Sequence, residues 1–257
     1  MTATVAHSRT DLLRPGVGLV KVSTWDVGSP DGQRAAVEAI GKAWLSREWP
    51  AEGPLSYSVY TGEDGRTLLH YSQWADEETY QAFFRRGRDE RNAEIDAAVP
   101  GVRRLGLASY ALYRSRVTEG DDRLPGCVAV IEADFEGVDP ARLRTWVDAV
   151  FDASGDEPSK ADGPSKSDGA READGAGEAD GAGAEAGSLS AHFHVGLDGT
   201  RVLNFAEWTD AAAHRAMLDA PGDGVPSPAW ERVHTFPGLT GSRTTRYAPA
   251  LSLSADA

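Results

Sequence analysis

DGRTLLHYSQWADEETYQAFF at positions 64–84 is echoed by DGTRVLNFAEWTDAAAHRAML at positions 198–218. Aligned without a gap, the two stretches agree at the Asp-Gly pair, at a strand leucine and at Trp74 and Trp208, with a constant offset of 134 positions. Each stretch indicates a turn at Asp-Gly, a strand that ends in tryptophan, an aspartate that can cap a helix, and then the helix itself. The repeat period is too long for a solenoid, so we expect each copy to be a complete small domain.

The repeat extends on both sides of this stretch. In each copy a strand, an amphipathic helix and a second strand come before it. A last strand follows it, predicted at 103–114 around Tyr110 in the first copy and at 241–248 around Tyr247 in the second. The order βαββαβ is the ferredoxin-like motif. We therefore predict an α+β protein of two tandem ferredoxin-like domains, at residues 14–118 and 124–250. Both helices of such a unit cover one face of its sheet, so the other face has to be buried. We expect the two sheets to pack face to face as an intrachain dimeric α+β barrel.

The second domain contains a segment of unusual composition. Residues 155–187 hold nine Asp and Glu against three Lys and Arg, with no aromatic and no large aliphatic residue. A segment with so little to bury is expected to be disordered. We read it as an acidic Gly/Ala-rich insertion whose role the sequence does not reveal.

Charge and composition limit the kinds of partner. The net charge of −14 and the sequence pI near 4.8 argue against binding to a phosphate backbone. No window approaches eighteen apolar residues, and the N-terminal stretch lacks an apolar segment. The single cysteine, Cys127, is compatible with a reducing compartment. We expect a cytoplasmic protein that binds neither nucleic acid nor a membrane, and the sequence leaves open whether the fused pair forms a homodimer.

The strand that ends in tryptophan, followed by Asp and a helix on a domain of this length, resembles the antibiotic biosynthesis monooxygenase domain. The resemblance covers nearly the whole chain as a fused tandem pair, apart from the acidic insertion and the ends. It implies an oxygenase, because relatives that resemble polyketide anthrone oxygenases use O2 without flavin, haem or metal. The implied activity converts an aromatic polyketide in antibiotic biosynthesis from an anthrone or phenol to a quinone, or opens its ring oxidatively. O2 is then a co-substrate, and haem or reduced flavin are the less favoured cofactors.

The resemblance also implies site residues, namely an Asn four positions before the Trp and a Tyr six positions after it. The corresponding residues are His70, Trp74 and Tyr80 in the first copy and Asn204, Trp208 and His214 in the second. His70 replaces the Asn in the first copy, and His214 replaces the Tyr in the second. Neither set is complete, so we expect one working pocket or two unlike pockets.

Strand geometry supports this grouping of residues. Side chains alternate along a strand, so Asn204 shares a face with Trp208, and His70 shares a face with Trp74. A polar group beside an indole suits a flat aromatic ligand, although core packing is the alternative reading of each tryptophan. The residues expected to line the substrate pockets are Tyr57, Phe84, Phe193 and His194. Asn204 and Trp208 would donate hydrogen bonds to an oxyanion, and His214 or His70 would accept the substrate proton.

Other functions remain open on the same fold. A cyclase or dehydratase would use the same base without O2, and an accessory module would bind without catalysis. A haem-binding or haem-degrading protein would use His70, His194 or His214 as the axial ligand. No nucleotide-binding motif is present, and His192 and His194 lack a third ligand at a telling spacing, so we expect no metal site. The arginines expected to form a solvated helix face, or alternatively to contact substrate at a pocket mouth, are Arg85, Arg86, Arg88 and Arg91.

Overall fold

Nine strands and six helices make up the part of the chain that the structure describes. The structure is a computed structural model that describes residues 3–5, 9–86, 88–155, 187–219 and 227–255. The predicted acidic insertion at 155–187 therefore lies almost entirely outside the described residues. In chain order the elements are β1 (Ala3–Val5), β2 (Leu19–Asp26), α1 (Pro30–Leu45), β3 (Ser56–Gly62), β4 (Thr67–Trp74), α2 (Glu77–Arg86), α3 (Arg88–Ala98), β5 (Arg103–Val117), β6 (Cys127–Phe135), α4 (Pro140–Ala153), β7 (Ser188–Gly196), β8 (Arg201–Trp208), α5 (Ala211–Asp219), α6 (Pro228–His234) and β9 (Leu239–Ala255).

Eight of the strands form one closed antiparallel barrel. Its order is β9-β3-β4-β2-β5-β7-β8-β6, and β6 pairs again with β9 to complete the circle, while β1 adds to the outer side of β9. We call β2 to β5 with their helices the first half, and β6 to β9 with their helices the second half. No helix in the described part of the chain is long and apolar enough to cross a membrane.

The prediction of two separate ferredoxin-like domains packed sheet to sheet is wrong. The halves share a single sheet because β5 and β9 are long enough, at 15 and 17 residues, to pair with strands of both halves. The beginning of β5 pairs with β2, and its end pairs with β7 of the second half. The beginning of β9 pairs with β6, and its end pairs with β3 of the first half. Closure in this way leaves the barrel without a free edge. The backbone N–H and C=O groups of β5 and β9, which would lie at the edges of two separate sheets, are therefore paired.

The barrel interior is filled by side chains from both halves. Tyr71 on β4 packs against Phe205 on β8, with ring centroids 5.0 Å apart, and Tyr60 contacts the same ring at 5.4 Å. The N-terminal segment enters one end of the barrel, where Leu12 is buried and the Arg9 side chain pairs with the buried Glu207 carboxylate. The interior therefore holds the two halves together by the burial of apolar surface.

The helices cover the outside of the barrel in two separate layers. Ile40 and Trp44 of α1 pack on the first-half strands, and Leu143 and Val147 of α4 pack on the second-half strands. The two helices begin alike, with a side-chain cap followed by proline at the first helical position. Each strand thus has one side facing the barrel interior and one side facing helices, and the candidate sites lie on the helix side.

Candidate functional site

Each half contains one cavity between its helices and the outer face of the barrel. The first-half cavity has a volume of about 380 Å³, and five predicted residues line it: Tyr57, His70, Trp74, Tyr80 and Phe84. The second-half cavity has a volume of about 270 Å³, and four predicted residues line it: Phe193, Asn204, Trp208 and His214. The structure therefore brings together each predicted set within its own half. His194 lines neither cavity.

Strand alternation places Asn204 and Trp208 in the second-half cavity. Leu203 and Phe205, their neighbours on β8, point into the barrel interior, so the residues between them face the helices. Four residues of strand separate the Cα atoms of Asn204 and Trp208 by about 13 Å. A single ligand that contacts both side chains would have to be elongated.

Two buried polar atoms in the second-half cavity lack a hydrogen-bond partner among the described residues. They are the side-chain oxygen Oδ1 of Asn204 and the indole nitrogen Nε1 of Trp208. A buried polar group without a partner costs about 1–3 kcal/mol, so native proteins rarely leave one unsatisfied without a reason. One acceptor and one donor thus lack partners on two residues that line the same cavity, where a bound hydroxyl and carbonyl would satisfy them.

His214 presents a third polar group to the second-half cavity, and its tautomer is set by an arginine. The Arg246 Nε–H donates to Nδ1 of His214 across 2.8 Å, so a neutral His214 carries its hydrogen on Nε2. Burial, and secondarily the Arg246 charge, lowers the pKa of His214 below its usual value. The ring stands edge-on to Trp208, with centroids 5.0 Å apart. His214 is therefore a neutral hydrogen-bond donor beside the indole rather than a free base.

The first half supplies the residue that supports Arg246. Glu63, in the turn between β3 and β4, forms ion pairs with Arg246, at 3.8 Å, and with Arg215 of α5. A carboxylate of the first half thus supports, through Arg246, the orientation of a residue that lines the second-half cavity. Sequence inspection alone had no means to find this contact, because Glu63 and Arg246 lie far apart in the chain.

The first-half cavity is lined by a different polar side chain with an unpartnered atom, His70. Nδ1 of His70 lies 2.7 Å from the Tyr57 hydroxyl, and Nε2 of His70 is buried without a partner among the described residues. Burial, with a smaller contribution from Arg104, lowers the pKa of His70 to about 3, so the ring stays neutral at physiological pH. Trp74, unlike Trp208, already uses its indole N–H, which donates to Ser72 Oγ across 2.9 Å. The two cavities therefore differ in which side chain has an unsatisfied polar atom.

Several residues of the first-half cavity were not predicted as site residues. Trp25 packs against His70 with the two rings tilted by 42° and their centroids 4.1 Å apart, and Arg91 lies over the Trp44 ring at 4.7 Å. Lys21 is almost completely buried and lies 4.0 Å from the centre of the Tyr80 ring. Arg91 is also buried, so the prediction that it belongs to a solvated helix face is not what the structure shows.

His194 and its neighbour His192 lie inside the barrel. His194 is fully buried, with Nε2 2.9 Å from the Tyr71 hydroxyl and Nδ1 2.9 Å from the His192 carbonyl oxygen. His192 lies between the hydroxyls of Ser115 and Ser190. Both ring nitrogens of His194 are engaged, so it does not fit the role of a haem ligand. Within the described ranges, no group of three or more His, Cys, Asp or Glu side chains is placed to hold a metal ion.

Comparison with known proteins identifies the fold. No protein-family model matches the chain, and no curated protein matches it. Among solved structures the chain is similar to an anthrone oxidase-like protein, with 15% identity and a TM-score of 0.63 over 99% of this chain and 97% of that chain. It is also similar to a proposed monooxygenase from Fusobacterium nucleatum subsp. nucleatum ATCC 25586, with 13% identity and a TM-score of 0.53 over 94% and 96% of the two chains. A proposed monooxygenase from Lactobacillus acidophilus NCFM follows, with 9% identity and a TM-score of 0.50 over 93% and 96%. At these identities the likeness concerns the fold, and at that level it supports the resemblance seen in the sequence.

Proposed function

We propose that this chain is an oxygenase that converts an anthrone-like or phenolic ring of a small aromatic polyketide to a quinone in the second-half cavity. The observation that carries the proposal is that two buried polar atoms of residues lining this cavity, Asn204 Oδ1 and Trp208 Nε1, have no hydrogen-bond partner among the described residues. The names of the structural neighbours, anthrone oxidase-like and monooxygenase, agree with this choice of chemistry.

The reaction can proceed with electrons that come from the substrate itself. An anthrone loses the proton of its CH2 group to give a stabilised carbanion, which transfers one electron to O2. Recombination forms a C–O bond, and loss of water then leaves a carbonyl group. One oxygen atom of O2 ends in the quinone and the other in water, so anthrone and O2 give anthraquinone and H2O with all atoms balanced.

The cavity residues have defined tasks in this reaction. The Trp208 indole N–H and the His214 Nε2–H are donors for the developing oxyanion, and such donors are most effective where water is excluded. Asn204 Oδ1 accepts a hydrogen bond from a ring hydroxyl and so orients the substrate. Because Arg246 occupies Nδ1 of His214, we assign His214 to oxyanion stabilisation, and the substrate proton passes to water.

The first test is turnover of an anthrone probe. We expect the purified chain to consume O2 with 1,8-dihydroxyanthrone faster than the spontaneous reaction, and to release the anthraquinone. Asn204→Ala should raise KM about tenfold, because it removes one hydrogen bond to the substrate. The matched control is His70→Ala, the equivalent change in the first half, which should leave O2 uptake unchanged. O2 uptake no faster than the spontaneous rate for several anthrones would contradict the proposal, and product formation without O2 would favour the cyclase alternative.

A second test concerns the support of His214. Arg246→Leu removes the donor to Nδ1, so the hydrogen of the ring is no longer confined to Nε2. We expect kcat to fall about tenfold with little change in KM, because the lost hydrogen bond matters most in the transition state. Glu63→Gln keeps the hydrogen bond between Arg246 and His214 and should lower kcat about threefold or less. An unchanged kcat for Arg246→Leu would remove His214 from the reaction.

A further inference from the structure

We propose that the first-half cavity is a second ligand site, which binds a planar aromatic compound through a carbonyl or phenolate oxygen that accepts a hydrogen bond from Nε2–H of His70. This inference goes beyond the proposed function and does not rest on it. The site is built from its own buried donor and its own walls, and it can be tested by binding alone.

The position of the hydrogen on His70 follows from Tyr57. The Tyr57 hydroxyl lies 2.7 Å from Nδ1 of His70, the one described partner of this hydroxyl. If the hydroxyl donates to Nδ1, only the Nε2–H of His70 is left without a partner. The reverse direction would leave both the Tyr57 O–H and the Nε2 lone pair without one, so Tyr57 is assigned as the donor. The hydrogen of the neutral imidazole is then on Nε2. This N–H is buried and has no acceptor among the described residues, in a side chain that is only 4% exposed.

The walls of the first-half cavity suit a flat ring. Trp25 lies 4.1 Å from the His70 ring, and the Trp74 and Tyr80 rings meet at right angles 5.1 Å apart on another side. Aromatic side chains around a cavity of about 380 Å³ favour an aromatic ligand over an aliphatic one.

The charges of the first-half cavity favour an electron-rich oxygen. Lys21 lines the cavity and lies beside Tyr80, although it shares its charge with Glu77 at 2.7 Å. Arg104 lines it as well and pairs with Asp96, also at 2.7 Å. The strand register places Ala129 of the second half where Lys21 stands in the first, so the second-half cavity lacks this cation. The first-half cavity is lined by three cations, Lys21, Arg91 and Arg104, and has no counterpart of the Asn204 acceptor, whereas the second-half cavity is lined by one cation, Arg116.

The rim of the first-half cavity is apolar. Leu105 and Leu107 on β5 line the cavity and are 54% and 56% exposed. By strand register, Thr244 of the second half is the equivalent of Leu107. Exposed leucines beside the cavity indicate that the part of the ligand that extends beyond its bound aromatic ring is apolar.

Titration with 2-hydroxyanthraquinone tests this site, since its visible absorption changes when its phenol ionises. The titrated protein carries Asn204→Ala, which weakens ligand binding in the second-half cavity. Binding is followed by tryptophan fluorescence and by the absorption of the probe. We expect the first-half cavity to be the tighter site in this variant, and His70→Phe should weaken binding there at least tenfold. His70→Gln, which keeps a donor near the position of Nε2, should stay within about threefold. Trp74→Phe should also stay within about threefold, because the indole N–H already donates to Ser72 and phenylalanine keeps an aromatic wall. Equal affinity of the His70→Phe variant, or loss of all binding with Asn204→Ala alone, would overturn the proposal.

A spectroscopic measurement checks the donor directly and covers the case in which His70→Phe does not fold. In 15N-histidine NMR spectra of the intact chain, we expect His70 to carry its hydrogen on Nε2, and this signal to shift when 2-hydroxyanthraquinone binds. Tyr57→Phe should allow the hydrogen of His70 to occupy either ring nitrogen. It should therefore weaken binding of the probe by about threefold to tenfold. A hydrogen on Nδ1 in the free protein, or an Nε2 signal that the probe does not move, would refute the assignment. None of these readouts depends on turnover, so failure of the oxygenase proposal would leave this result intact.

Discussion

Replacement of Trp208 by phenylalanine should lower kcat/KM for the O2-dependent oxidation of 1,8-dihydroxyanthrone by about 100-fold. The indole N–H of Trp208 is buried in the second-half cavity and has no partner among the described residues, so it is available to a developing oxyanion. Removal of one such donor from a water-excluded site typically costs about 10²–10³ in rate. Steady-state O2 consumption, corrected for the spontaneous reaction, measures the effect.

The matched control is Trp74→Phe, the same change at the equivalent position of the first half. The Trp74 indole N–H already donates to Ser72 Oγ, so its loss should change kcat/KM by less than about threefold. The free energy of unfolding also distinguishes a catalytic role of Trp208 from a structural role. Trp208→Phe removes a buried unsatisfied N–H while leaving a smaller side chain, and these opposed effects should keep the free energy of unfolding within about 1 kcal/mol of the parent. If Trp74→Phe abolishes turnover and Trp208→Phe does not, the reaction belongs to the first half.

The difference between the two tryptophans was visible in the sequence. Residue 72 is Ser and residue 206 is Ala, and both stand two positions before the tryptophan on the same strand face. Only the first half therefore offers the indole a neighbouring hydroxyl. The same alternation shows that Phe193 and His194 could not both line one cavity, and in the structure Phe193 faces the cavity while His194 faces the barrel interior.

Barrel closure could not be predicted in the same way. Hydrophobic alternation indicated that the last strand of each half exists, but it placed the ends near Arg114 and Ala248, whereas the strands run to Val117 and Ala255. The extra residues pair with strands of the other half, and a pairing between distant segments leaves no mark in the local pattern of either. The predicted fold was wrong for this reason, even though the predicted strands and helices lie close to those in the structure.

Contacts between distant segments also account for the missed site residues. Lys21 and Trp25 on β2 and Arg91 on α3 reach the first-half cavity from elements that the tryptophan motif does not include. Arg91 was counted with its charged neighbours because helix spacing alone does not reveal that Trp44 of another helix covers it. Residues within one strand can thus be grouped from the sequence, whereas those contributed by a second element need the tertiary structure.

Acidification from pH 7 to pH 5 should lower the free energy of unfolding by about 6 kcal/mol, because three buried histidines resist protonation. The pKa is lowered to about 3 for His70 and His192 and to about 4 for His194, in each case mainly by burial. In the unfolded chain each has a pKa near 6.5. Between these values the unfolded chain binds more protons than the folded chain, so stability falls as the pH falls below about 6.5. Each histidine then contributes about 2 kcal/mol of loss between pH 7 and pH 5, against a typical total of about 5–15 kcal/mol.

Denaturant unfolding at closely spaced pH values measures this loss. The change in the free energy of unfolding with pH is more informative than its value at one pH, because a substitution can lower stability at every pH. His192→Gln can lower stability at every pH because it disturbs the hydrogen bonds with Ser115 and Ser190, but it should also reduce the slope between pH 7 and pH 5 by about one third. Thr145→Ala is the control, since Thr145 is exposed on α4 and carries no titratable group, so its replacement should leave the slope unchanged. Carboxylates ionise mostly below this window, so they do not obscure the result. A stability that stays constant from pH 7 to pH 5 would mean that the three histidines are charged or accessible in the folded protein.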